Sequence, residues 1–175
     1  LFQEGQTLIH VYPSPEVFGK AYAPDLAITA HTAPMAAALA GAVRLDGRRW
    51  ADWRDAARED YVRWTDIPDS SSFAWSGADM TQIFRHLREA LPENAIVTTD
   101  AGNFSGWCQR YLRYGRPGRL CAPVCGAMGY AVPSAVAASL EYPARFVVGF
   151  CGDGGFMMTG QELATALHHK AKPII

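Results

Sequence analysis

The chain has 175 residues, 49% of them hydrophobic, and a net charge of −1 from 16 Lys and Arg against 17 Asp and Glu. That is enough chain to bury a sizeable core, and its scattered, balanced charges exclude the basic stripe that nucleic-acid binding needs. Its longest weakly polar stretch, Ala127–Leu140, is broken by Gly129, Pro133 and Ser134 and is too short to cross a bilayer.

The chain opens at Leu1 with no basic leader, so no signal peptide is expected, and a start without Met suggests a piece of a longer protein. Thr7–Tyr12 (TLIHVY) reads as a strand stopped by Pro13-Ser14-Pro15, and Thr32–Leu39 reads as a capped helix with Pro34 near its start. Residues 1–40 are too few to stand alone and are expected to be the tail of a domain. Residues 41–77 read as a helical linker. Within it Trp50, Trp53, Ala57, Tyr61 and Trp64 recur at spacings of three and four, which predicts an amphipathic helix whose Trp stripe packs, before a loop at Pro68–Ser72.

From residue 78 the order becomes α/β. A helix over Asp79–Leu91, a strand over Ala95–Thr99, a helix over Ala131–Leu140, a strand over Arg145–Phe150 and a helix over Gln161–His169 are expected, and Lys172–Ile175 looks like the start of another strand. This alternation predicts a three-layer fold, a parallel sheet with helices on both faces, incomplete at the C-terminus. Ligands of such sheets bind beyond the carboxyl ends of the strands, here the loops Asp100–Gly106 and Gly152–Gly160.

The second loop carries the most chemistry. An apolar strand runs into Gly152-Asp153-Gly154-Gly155, where the glycines let backbone approach a ligand. A lone carboxylate at Asp153 suits Mg2+, which takes few protein carboxylates and completes its shell with phosphate oxygens and water. The amides of Gly154, Gly155 and Phe156 stand at the start of the next helix, where phosphate binds. On residue type alone, Asp153 serves equally as a turn or helix-cap residue. A Rossmann-like dinucleotide site is the alternative, but Gly152–Met157 does not fit G-x-G-x-x-G. A non-catalytic assembly module using Trp50, Trp53 and Trp64 is another. The four cysteines, Cys108, Cys121, Cys125 and Cys151, lack metal-site spacing and read as apolar thiols in a reduced, cytoplasmic setting. His168 and His169 end a helix and are assigned no chemistry.

Three segments, Val97–Trp107 (VTTDAGNFSGW), Gly126–Leu140 (GAMGYAVPSAVAASL) and Gly152–Leu167 (GDGGFMMTGQELATAL), together resemble the diphosphate-binding domain of thiamine diphosphate-dependent enzymes, in the acetolactate synthase and benzoylformate decarboxylase group. The first 40 residues are similar to the end of the central domain of those enzymes. The resemblance implies thiamine diphosphate and Mg2+ as cofactors and a 2-oxo acid as substrate, decarboxylated or carboligated. It implies that Asp153 holds the metal and that Gly152, Gly154, Gly155 and Phe156 border the diphosphate. Gly102, Asn103 and Phe104 would line its other side. Met128 would wedge between the cofactor rings, and the Gly126 carbonyl would accept from the pyrimidine amino group. Asn103-Phe104 departs from the Gln-His of many acetolactate synthases. The family's second metal ligand lies further downstream than the 22 residues (175 − 153) after Asp153, and its activating Glu lies in another domain, usually of another subunit. The 175 residues alone are therefore expected to be inactive, and the whole protein to be a homodimer or homotetramer.

Overall fold

A computed structural model describes residues 3, 5–42, 46–68, 77–115 and 118–175. It divides into two compact units, Leu1–Asp55 and Ala56–Ile175, with the boundary inside the helix of the 41–77 stretch. In the first unit β1 (Ile9–Tyr12) pairs in parallel with β2 (Leu26–Thr29), Ile9 opposite Leu26. Asp25 helps to set that register by accepting the Leu8 N–H at 2.8 Å. Strand β2 is absent from the sequence reading because four residues carry too little periodicity to stand out. Helix α1 (Thr32–Ala42) follows, with Pro34 in its first turn, where a missing N–H costs no helical bond.

Helix α2 (Ala51–Thr65) corrects the expected packed Trp stripe. Trp50 lies on a 3-10 turn before it, and Trp53 and Trp64 are 75% and 59% exposed. Trp53, Ala57, Tyr61 and Trp64 do share one face, but among the described residues that face stays exposed; of the helix only Thr65 is buried. Its end is held instead by arginines: the Arg110 guanidinium lies 3.7 Å over the Trp64 ring and donates to the Trp64 carbonyl at 2.7 Å, and Arg113 donates to Thr65 Oγ1 at 3.2 Å.

The rest of the second unit is the expected α/β layer. Helix α3 (Met80–Ala90) starts at Asp79, whose side chain accepts from the Thr81 and Gln82 amides. Strand β3 (Ile96–Thr99), helix α4 (Asn103–Tyr111), strand β4 (Leu120–Cys121), helix α5 (Ala131–Glu141) and strand β5 (Val147–Phe150) follow, then helices α6 (Asp153–Thr159) and α7 (Leu163–His168) around a 3-10 turn at Gly160–Glu162. Among the described residues the sheet runs β4-β3-β5, all parallel, and Ile174 bridges to Val148 in parallel beyond β5.

Register explains the layers. Ile96 pairs with Val147 and Val97 with Val148, and alternate residues face opposite sides. Val97 and Val148 pack with Phe84 of α3 and Cys108 and Tyr111 of α4, while Ile96 and Val147 pack with Ala135 of α5. Helices therefore cover both faces. Gly149 permits the close seat of α5: a Cβ there would lie 3.2 Å from that of Ala135. The Asp100–Gly106 and Gly152–Gly160 loops are corrected to helix starts, since α4 begins at Asn103 and α6 at Asp153. Residues with weak helical propensity become helical in α4 because Cys108 and Tyr111 gain a core against Phe84.

At the amino end of the sheet, Arg119 donates to the carbonyls of Pro92, Ala95 and Arg113, and Arg145 to those of Asn94 and Gly118. Among the described residues no helix is long and apolar enough to cross a membrane. All four cysteines are free; Cys108 is fully buried, which pushes its thiol up to about 12.

Phe84 is 1% exposed and stacks on both Trp107 and Phe150. Phe84→Ala should cost about 3–5 kcal/mol in urea denaturation, and a loss below about 1 kcal/mol would contradict this core. With so high a pKa, Cys108 has almost no thiolate near neutral pH. Exposed Cys125 should therefore react with an aqueous thiol reagent in the native state and Cys108 only after unfolding; early labelling of Cys108 would contradict the packing.

Candidate active site

The chain leaves β3 for α4 on the Val97 face and leaves β5 for α6, which touches α5 on the opposite face. Neighbouring parallel strands whose exits diverge in this way open a crevice at their carboxyl ends. The Asp100 N–H donates to the Phe150 carbonyl at 3.1 Å and ties the two exits together.

Asp100 then does more than a loop residue. It is 2% exposed, and its two oxygens are both used: Oδ2 accepts the Gly129 N–H at 3.0 Å and Oδ1 the Ala131 N–H at 2.5 Å. The Ala101 N–H donates to the Ala127 carbonyl at 3.2 Å. The 126–131 segment is thereby stitched to the end of β3. Gly126 and Gly129 have φ of +67° and +84°, a region that favours glycine, so the segment turns twice within four residues. A Cβ on Gly129 would lie 3.2 Å from both Met158 Cβ and Thr159 Cγ2. The buried hydroxyls of Thr99 and Thr159 have no hydrogen-bond partner among the described residues.

The other candidate residues gather around this stitch. Met128, 47% exposed, reaches across so that its methyl would lie 2.8 Å from a Cβ on Gly154. The Phe104 ring lies between the two strand exits, 2.6 Å from where a Cβ on Gly102 would be and 3.3 Å from one on Gly152. Asn103 is exposed on the first turn of α4. The Ala127 carbonyl is taken by Ala101, whereas no donor among the described residues reaches that of Gly126.

Asp153 is the first residue of α6 and is exposed; its Oδ1 accepts the Gly154 N–H at 2.8 Å. The Phe156 N–H is committed to the Gly152 carbonyl at 2.9 Å, which corrects its expected role as a phosphate donor. The Gly155 N–H has no acceptor among the described residues. Desolvation, and then the charge of Asp100, raise the Cys151 thiol beside this turn.

This donor set fits a magnesium diphosphate. Among the described residues no three His, Cys, Asp or Glu side chains cluster as metal ligands, so a cation here would rest on Asp153 and oxygens from its own ligand, as Mg2+ does and structural zinc does not. The side-chain-free backbone at Gly152, Gly154 and Gly155 and the unpartnered Gly155 amide suit a phosphate group. Sequence reasoning placed Asp100 only as the first residue of a loop; the signal it passed over was a carboxylate closing a strand whose four residues are all buried.

Residues 100–175 match the family of the thiamine pyrophosphate enzyme, C-terminal TPP binding domain. Acetolactate synthase isozyme 1 large subunit of Escherichia coli (strain K12) is 32% identical over 160 residues, covering 91% of this chain and 28% of that protein. The acetolactate synthase large subunit of Parasynechococcus marenigrum (strain WH8102) is 31% identical over 160 residues, 90% of this chain and 25% of that protein. A sulfoacetaldehyde acetyltransferase of Alcaligenes xylosoxydans xylosoxydans is 36% identical over 89 residues, 50% of this chain and 15% of that protein. The matched stretch thus spans less than a third of these relatives. With its parallel sheet and its glycine-rich turns meeting at one crevice, the segment from Asp100 to Ile175 belongs to the C-terminal cofactor-binding domain of the thiamine pyrophosphate enzymes.

Proposed function

We propose that the protein containing this chain is a thiamine diphosphate- and Mg2+-dependent enzyme, a lyase or transferase that decarboxylates a 2-oxo acid, carboligates it, or does both in sequence. The observation that carries this reading is the convergence of residues 100–104, 126–131 and 152–156 on one crevice, in a domain of this family. Asp153 would hold the metal through the oxygen that Gly154 leaves free, and the Gly154–Gly155 turn, bordered by Gly152 and Phe156, would take the diphosphate. Gly102, Asn103 and Phe104 would line its other side. Met128, braced on Gly154, would set the bend of the bound cofactor, with the Gly126 carbonyl accepting from its amino group. The cofactor, when bound, supplies an electron sink for carbanion chemistry at a carbonyl carbon. The protein's part is to position and to exclude water.

Phe104 neither donates nor accepts a proton, so proton movement at that corner falls to other groups or to water. Acetolactate synthases among the relatives make carboligation the first activity to assay. The whole protein is proposed to be a homodimer or homotetramer, and four free cysteines fit a reducing, cytoplasmic setting.

In the whole protein, Asp153→Ala should abolish Mg2+-dependent thiamine diphosphate binding in a calorimetric titration; unchanged affinity would sink the assignment. Met128→Ala should still bind cofactor but turn over about a hundredfold more slowly, because a misplaced reacting group costs that much. Steady-state rates equal to wild type would contradict the role of the wedge.

A further inference from the structure

We propose that Asp100 is a positioning residue: its buried carboxylate sets the height of the Gly126–Ala131 segment over the Gly152–Gly155 turn, and so governs affinity for the ring half of the cofactor. The inference rests on the cofactor reading above and concerns a residue that touches no ligand in it. Helix α5 begins at Ala131, yet its N-cap residue, Tyr130, makes no side-chain cap. Asp100, 31 residues away, supplies that cap by accepting the Ala131 N–H, and its negative charge meets the positive end of the helix. Its other oxygen takes Gly129, one residue beyond Met128. Among the described residues no cation pairs with Asp100, so backbone amides carry the compensation. A Cβ on Gly155 would overlap Asp100 Oδ2, so the carboxylate also fills the notch above the diphosphate turn. One side chain therefore touches the backbone of all three motif segments. An amide in place of the carboxylate offers one acceptor oxygen instead of two and must leave Gly129 or Ala131 unpaired.

The test uses the whole protein, wild type and Asp100→Asn, with two readouts. Amide hydrogen exchange in the cofactor-free protein should speed up about tenfold or more at Gly129 or Ala131 while Val97 and Val148 in the sheet stay slow. Calorimetry should show thiamine diphosphate with Mg2+ losing about tenfold in affinity while inorganic pyrophosphate with Mg2+ changes less than about twofold, since only the former reaches the Met128 segment. A purely structural role would move both ligands together. Equal losses for the two ligands, or unchanged exchange and unchanged affinity, overturn the proposal. Wild-type protein binding neither ligand would overturn the cofactor reading itself, a different result. If Asp100→Asn does not fold, Gly155→Ala tests the same contact from the other side: it keeps the charge but crowds the carboxylate, and exchange at Gly129 and Ala131 should again rise, slow exchange there overturning the proposal.

Discussion

The site depends on one buried carboxylate. Asp100 sits where β3 ends, and two amides from a segment about thirty residues later in the chain close on its two oxygens. Without those bonds, Gly129 and Ala131 would be buried donors lacking acceptors, a cost of about 1–3 kcal/mol for each. With them, an irregular, glycine-rich segment gains a fixed place relative to the sheet. A side chain at Gly155 would displace the carboxylate, which occupies the space a Cβ would need. The cradle and the clamp are thus one packing arrangement.

The sheet makes this arrangement possible. Parallel strands send all their carboxyl ends to one edge, and the arginine bonds of Arg119 and Arg145 close the opposite edge. The exits of β3 and β5 part to opposite faces, which leaves room between them for Phe104, Met128 and the start of α6. The unpartnered Gly155 amide and the Met128 thioether face this room, and the exposed Asp153 carboxylate stands at the start of α6; in the proposed reading these would meet the anion and its compensating cation.

Much of this was legible in the residues. The strands expected over Ala95–Thr99 and Arg145–Phe150 contain β3 and β5, the helix expected over Asp79–Leu91 contains α3, and their alternation marked the parallel sheet. Helix α4 was not, because Gly102-Asn103-Phe104-Ser105-Gly106 has the composition of a loop and becomes helical through Cys108 and Tyr111 packing on Phe84. The helix entrance expected at Gly154–Phe156 is the first turn of α6, although the rest of the Gly152–Gly160 stretch read as loop. The Trp periodicity of α2 misled, since spacing reports which residues share a face and not whether another surface covers it. Asp100 escaped because its partners are far away in sequence, and no local pattern records a tertiary cap. The three segments that resemble the family were recognisable because each is a short contiguous stretch of chain.

The most direct measurement is a crystal structure of the whole protein with thiamine diphosphate and Mg2+. This account predicts the metal at about 2.1 Å from an Asp153 oxygen, the diphosphate against the Gly154–Gly155 turn, and Met128 between the two cofactor rings with Asp100 still bonded to Gly129 and Ala131. Cofactor bound away from this crevice, or a metal held without Asp153, would contradict it.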